Sequence, residues 1–164
     1  MHKIKNIMVA IAFADYSKGI FSYAADLANQ TGANLLVASI INSRDVDAVT
    51  KIESMGYEVG GNHYVDDIKK ERSDLLDAFV SDTGFPRDRI KTIFTVGNPV
   101  AALLKITVEN DVDLVVMGVK GRTDLEHIFV GSVAEKMFRK CPVTIVSYRD
   151  EKTAQRLRKR IQQT

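Results

Sequence analysis

Residues 113–140 read DLVVMGVKGRTDLEHIFVGSVAEKMFRK. The run Leu114 to Met117 is short, continuously apolar and rich in β-branched residues, which is typical of a strand covered on both faces in a parallel sheet. A glycine-spaced segment, G-x-x-G-x9-G-S, comes next and is formed by Gly118, Gly121, Gly131 and Ser132. Ser132 then opens a helical pattern that runs to about Lys140. The segment therefore predicts one strand-loop-helix unit of an α/β fold.

The rest of the chain repeats this alternation of strand and helix. Four further apolar runs predict strands, namely Ile7 to Ile11, Leu35 to Ile41, Ile90 to Val96 and Val143 to Val146. Helical patterns separate them, namely Ser17 to Gln30, His63 to Ser81 and Asn98 to Val108. The sequence thus predicts an open five-stranded parallel sheet with helices between the strands and right-handed connections.

Two segments do not follow this alternation of strands and helices. We expect Asn42 to Asn62 to be a mobile loop with a short helix around Val46, Val49 and Ile52. The segment from Arg149 to Thr164 carries six basic and two acidic side chains, and its low apolar content predicts a frayed helix or a disordered tail. We therefore divide the chain into a domain at 1–148 and a basic C-terminal tail at 149–164.

The composition of the chain excludes several classes of function. The net charge of +2 is close to balance, so the chain as a whole gives no electrostatic case for binding nucleic acid. The single cysteine, Cys141, excludes an internal disulfide and a zinc site with several thiolates, and we predict no metal centre. No signal peptide and no apolar run of about 20 residues is present, so we expect a cytoplasmic protein without a membrane partner.

The glycine-spaced segment is the candidate ligand site. Loops at the carboxyl ends of parallel strands face the ligand crevice, and glycine lets a phosphate approach backbone N–H groups. The helix that Ser132 opens presents free N–H groups and the positive end of its dipole to an anion. Both ends of the segment could therefore bind the same polyphosphate. The alternative is an S-x-x-E capping box between Ser132 and Glu135, with glycines that only shape turns.

Other nucleotide and catalytic motifs are missing. The sequence contains neither G-x-G-x-x-G after the first strand nor G-x-x-x-x-G-K-[ST]. A phosphoacceptor domain would need acidic residues where Ala10, Ile11 and Ala12 stand. No nucleophile is paired with a base in the sequence pattern, so we predict no catalytic residues and at most slow, incidental turnover of a bound ligand.

Several segments together resemble the universal stress protein family. The resemblance is carried by the glycine motif from Gly118 to Ser132, by Val133 to Lys136 and by Cys141 to Val146. It extends to Ile7 to Ala10, Thr31 to Ala33, Leu35 to Val37, Gly97 to Pro99 and Asp113 to Gly118. It covers most of the chain but not Asn42 to Asn62 or the tail.

The resemblance implies a Rossmann-like fold of the adenine nucleotide alpha hydrolase-like type with strand order 3-2-1-4-5. It also implies ATP binding, because this chain keeps the complete motif, with Mg²⁺ accompanying the nucleotide as an open alternative. By position, Ile40 would meet adenine through its backbone and Met117 would flank the base or ribose. The phosphates and ribose would be held by Gly118, Gly121, Arg122, Gly131, Ser132 and Val133. One departure is Ala12, where nucleotide-binding members commonly have aspartate.

The resemblance also implies a stress-response role in which nucleotide occupancy is coupled to signalling or partner binding. The alternative is a nucleotide-independent dimeric interaction module of the same family. Family dimers commonly use the last strand, so we expect a homodimer through antiparallel pairing of Val143 to Val146. The competing possibility is a monomer whose strand edge is covered by the tail.

Overall fold

Five parallel strands form one sheet in the order β3-β2-β1-β4-β5. The computed structural model describes residues 3–57, 61–119 and 130–163, with the backbone alone at residues 61 and 62. The strands are β1 (Asn6–Ala10), β2 (Asn34–Asn42), β3 (Ile90–Gly97), β4 (Leu114–Gly118) and β5 (Thr144–Tyr148). The helices are α1 (Ser17–Thr31), α2 (Ser43–Ser54), α3 (Gly61–Thr83), α4 (Pro99–Glu109), α5 (Ser132–Lys140) and α6 (Glu151–Gln162).

The predicted α/β class and strand order 3-2-1-4-5 are confirmed. Residues alternate between the two sides of the sheet along each strand, so Ile7 and Val9 pack beneath α1 and α3. Met8 and Val115 face the opposite side and pack with Leu103 of α4 and Met137 of α5. Strand β4 is buried along its whole length, as expected for a central strand covered by helices on both faces.

Residues that cap helices determine where several helices begin and end. Helix α1 stops at Gly32, which adopts the left-handed conformation with φ 73° that glycine tolerates without strain. Helix α4 begins at Pro99, and the side chain of Asn98 accepts a hydrogen bond of 3.0 Å from the Ala101 N–H. These are the cap and first-turn proline predicted from the sequence.

The short helix predicted around Val46, Val49 and Ile52 is confirmed, and it extends over the whole of Ser43–Ser54. This stretch forms the three-turn helix α2, and Asn42 caps it by accepting a hydrogen bond from the Arg44 N–H at 3.1 Å. Helix α3 begins at Gly61, two residues before the predicted start. Side-chain capping and packing against α3 stabilise α2 despite its weak apolar stripe.

The basic tail forms helix α6, so of the two alternatives for the tail the helical one holds. Asp150 caps α6, because its Oδ1 accepts a hydrogen bond of 2.6 Å from the Thr153 N–H. Side chains of α6 line a small cavity together with Gly118 and Tyr148, which end β4 and β5. The helix therefore lies at the carboxyl ends of these two strands.

The end of β5 also touches α1. A Cβ added to Gly19 would stand 2.5 Å from the hydroxyl oxygen of Tyr148, so a larger residue there would displace this ring. Among the described helices, none is both long enough and apolar enough to span a membrane.

We predict that Leu76→Ala lowers the free energy of unfolding by about 2–5 kcal/mol, because a fully buried leucine leaves a cavity when it is truncated. Leu75→Ala is the matched control on the same helix, since Leu75 is 36% exposed, and it should cost much less. Urea unfolding of both variants measures the difference. Equal losses would contradict the assignment of Leu76 to the core.

Candidate functional site

A cavity of about 350 Å³ opens at the carboxyl ends of β1, β2 and β4. Its wall also includes the first turns of α1 and α5 and one side of α3. This is the place where an open parallel sheet binds ligands, because the connections leaving neighbouring strands diverge there.

Six of the eight predicted site residues line this cavity. They are Ile40, Met117, Gly118, Gly131, Ser132 and Val133. The other two, Gly121 and Arg122, lie outside the described residues. The two described ends of the glycine motif are joined directly, because the Gly131 N–H donates a hydrogen bond of 2.8 Å to the Val119 carbonyl.

The N-terminus of α5 has no side-chain cap. Gly131 occupies the capping position, and Ser132 is the exposed first residue of the helix. The Glu135 carboxylate forms an ion pair of 3.0 Å with Arg139, one turn further along. The capping-box alternative, in which Ser132 and Glu135 satisfy the helix start, is therefore not formed. The first-turn N–H groups and the helix dipole are left to attract an anion.

Gly118 is a point of close approach between β4 and α1. A Cβ at this position would lie 3.0 Å from Cδ1 of Ile20 and 3.4 Å from Cε2 of Tyr16. The glycine thus lets the first turn of α1 pack against the end of β4 while its backbone stays in the cavity wall.

The loop after β1 is held in an unusual conformation. Phe13 has φ 56°, a region that bulky residues rarely adopt. Its ring stacks on Phe79 at 5.9 Å and meets the edge of Phe94 at 5.6 Å between centroids, which fixes the strained backbone. Ala12, immediately before it, is held in the cavity wall and presents a methyl group there.

Arg72 of α3 lines the cavity and was not among the predicted site residues. Its side chain is buried, with 4% exposure, and Nη1 donates a hydrogen bond of 2.9 Å to Oγ of Ser39. That hydroxyl in turn donates a bond of 2.6 Å to the Ile11 carbonyl. The sequence does indicate that Arg72 is buried, because it stands four residues from both Ile68 and Leu76 in the apolar stripe of α3.

Ser17 is a second wall residue that the sequence analysis did not single out. It is 1% exposed, and its Oγ has no hydrogen-bond partner among the described residues. It is the first residue of α1, whose capping residue makes no side-chain hydrogen bond and whose first turn carries no acidic residue. No sequence signal separates this serine from one that caps its helix.

A smaller cavity of about 160 Å³ adjoins the first and shares Tyr16 and Gly118 with it. Its remaining wall includes Val119, Val130 and Tyr148 and, from the tail, Thr153 and Leu157.

The described part of the chain has few side chains placed to ligate a metal ion. No three His, Cys, Asp or Glu side chains lie together there as ligands would. Among the described residues of the larger cavity, Asp45 is the one with a carboxylate.

Comparison with known proteins agrees with this architecture. The model of the universal stress protein family matches residues 3–148. A Staphylococcus saprophyticus protein named for the same family is 28% identical over 149 residues, which make up 90% of this chain and 84% of the relative.

Two solved structures share the fold. A universal stress protein in complex with cAMP has a TM-score of 0.61 at 21% identity, over 90% of this chain and 98% of that one. A universal stress protein from Archaeoglobus fulgidus in complex with dAMP has a TM-score of 0.60 at 18% identity, over 90% and 100% of the two chains. The family match spans the whole sheet and both described ends of the glycine motif, so this chain belongs to the universal stress protein family.

Proposed function

We propose that this protein binds an adenine nucleotide, ATP, and couples occupancy of the cavity to stress-response signalling or partner binding in the cytoplasm. The observation that carries the proposal is that the two described ends of the G-x-x-G-x9-G-S motif line one cavity at the uncapped N-terminus of α5. The relatives solved with cAMP and dAMP support an adenine nucleotide as the ligand class.

The phosphates would lie at the start of α5. There the Ser132 hydroxyl, the first-turn N–H groups and the helix dipole favour an anion together. Gly118 and Gly131 keep side chains away from that path, and Gly121 and Arg122 complete the proposed phosphate and ribose contacts. Met117 and Ile40 would flank the ribose and the base, with the Ile40 backbone facing adenine.

The proposed role is binding rather than catalysis. Among the described residues of the cavity there is no histidine or cysteine, and the hydroxyls of Ser17 and Ser132 have no neighbouring base. Activation of a nucleophile needs such a partner within hydrogen-bond distance. We therefore expect ATP hydrolysis to be slow at most.

We predict that the purified protein binds ATP, ADP and AMP in calorimetric titration and that Gly131→Val abolishes detectable binding. Gly131 has φ −58° and ψ 146°, which valine also adopts, so the fold should survive while the side chain blocks the backbone. Ser132→Ala removes one hydroxyl and should weaken binding by about threefold to tenfold.

Gly97→Val is the matched control, because a Cβ there meets nothing closer than 3.9 Å and Gly97 lies outside the cavity wall. It should bind as the natural protein does. Unchanged affinity in a folded Gly131→Val variant would contradict the phosphate assignment. Failure of the natural protein to bind any of the three nucleotides would favour the nucleotide-independent interaction module.

We predict that Ala12→Asp tightens ADP binding by about threefold to tenfold, because a carboxylate at the end of β1 can accept a hydrogen bond from a ribose hydroxyl. Calorimetry against the natural protein measures the change. A weaker ADP affinity in the variant would mean that the nucleoside is held elsewhere in the cavity.

We also propose a homodimer through β5. This strand lies at the edge of the sheet, and Ile145 and Val146 within it are half-buried. An apolar edge strand has backbone groups that another chain can pair with. This edge is the feature that would also serve the alternative function, an interaction module that works without nucleotide.

We predict that Thr144→Pro converts the dimer to monomer, because proline removes a backbone donor and restricts the strand. Sedimentation measures the mass, and circular dichroism reports whether the variant is folded. Thr144→Ala is the control and should stay dimeric. A folded Thr144→Pro variant that remains a dimer would place the interface on another surface.

A further inference from the structure

A residue of the cavity wall carries a buried hydroxyl that no described residue of the protein pairs with. Ser17 is 1% exposed and belongs to the wall of the cavity, and its Oγ has no hydrogen-bond partner in the described part of the chain. Buried polar atoms are normally paired, and an unpaired one is destabilising. The hydroxyl therefore points to a ligand group that accepts a hydrogen bond at this place.

The setting of Ser17 favours an anionic acceptor over a neutral one. Ser17 begins the 15-residue helix α1, whose N-terminus has neither a side-chain cap nor an acidic residue in its first turn. The positive end of the helix dipole is thus not compensated by the helix's own side chains. A hydroxyl donor combined with such a helix end is typical of a phosphate subsite.

Arg72 adds a permanent positive charge to the same wall. Its guanidinium is buried, and Nη1 donates a hydrogen bond to Oγ of Ser39. Guanidinium matches the geometry of phosphate oxygens and remains protonated at any physiological pH. The one acidic side chain among the described residues of the wall, Asp45, is exposed and belongs to α2.

The cavity consequently has two places that favour an anion, one at α1 and one at α5. They lie on opposite faces of β4, because Val116 packs with α1 in one core cluster and Met117 packs with α5 in the other. If the 5′-phosphates occupy the α5 side, a second anion has to come from another part of the nucleotide. The ribose, with hydroxyls at its 2′ and 3′ positions, is the part that can carry it.

We propose that the preferred ligand is an adenine nucleotide with a second phosphate on its ribose, held by Ser17, the first turn of α1 and Arg72. This inference rests on the proposed nucleotide site and specifies its ligand. Ala12 is consistent with it, since a carboxylate at this position would repel a ribose phosphate, whereas an arginine nearby accommodates one.

The test compares ligands with the same base and the same number of phosphates. Calorimetric titration of the full chain with adenosine 2′,5′-bisphosphate, adenosine 3′,5′-bisphosphate and ADP should show at least one bisphosphate binding tenfold or more tightly than ADP. Ser17→Ala and Arg72→Met should each reduce that ratio at least fivefold. Ser22→Ala on the same helix and Arg87→Met at an exposed ion pair are the matched controls and should preserve it.

A second measurement separates a ligand contact from a structural role. Without nucleotide, Ser17→Ala should have a Tm equal to or above that of the natural protein, because the substitution removes an unpaired buried hydroxyl. A clear fall in its Tm would show that Ser17 supports the fold and would contradict the inference. If Arg72→Met does not fold, Arg72→Lys, which keeps the charge but not the planar fork, should still lower the ratio.

The outcomes distinguish this inference from the proposed function. ADP binding as tight as that of both bisphosphates would overturn the ribose-phosphate subsite and leave the nucleotide site standing. Absence of binding by all three ligands would overturn both. Tight binding of a bisphosphate without measurable binding of ADP would support the subsite and rule out ATP as the preferred ligand.

Discussion

The reversal of strand order between β1 and β4 is the constraint on which the rest of this structure depends. From β1 the chain adds β2 and β3 on one side, then returns to add β4 and β5 on the other. The connections that leave β1 and β4 must therefore diverge, one toward α1 and the other toward α5, and a crevice opens between them. Helices cover both faces of β1 and β4. The polar groups of a ligand can therefore reach these strands at this end of the sheet.

The crevice has features that favour an anion although the chain is nearly neutral. Two helix N-termini face it without side-chain caps, and the guanidinium of Arg72 is buried in its wall. Burying an ion carries a desolvation penalty of several kcal/mol unless hydrogen bonds and countercharge offset it. The Arg72–Ser39–Ile11 chain of hydrogen bonds contributes to offsetting it.

The sequence predicted the fold and the part of the cavity wall at the start of α5 because both depend on local patterns. Buried strands are continuous apolar runs, and Gly131 and Ser132 belong to a motif with fixed spacing. The other end of the cavity depends on contacts between distant segments. Arg72 meets Ser39 across 33 positions of the chain, and nothing near either residue in the sequence indicates that pairing.

The two helices that the sequence analysis left short or undecided depend on caps more than on apolar periodicity. Helix α2 starts at the Asn42 cap and α6 at the Asp150 cap, and both helices have few buried side chains. A segment of low apolar content can still be helical when its first turn is satisfied and one side rests on a neighbour. The spacing of apolar residues therefore underestimates the length of such helices.

The contact between Tyr148 and Gly19 has a thermodynamic consequence. The ring at the end of the edge strand fills the space that a side chain on α1 would occupy, two residues after Ser17. A displacement of that helical turn must therefore be accommodated by β5, and a displacement of β5 by the turn. If a ligand in the crevice shifts this contact and thereby changes how β5 associates with a partner, that association must change the ligand's affinity by the same factor, because linkage between two binding equilibria is reciprocal.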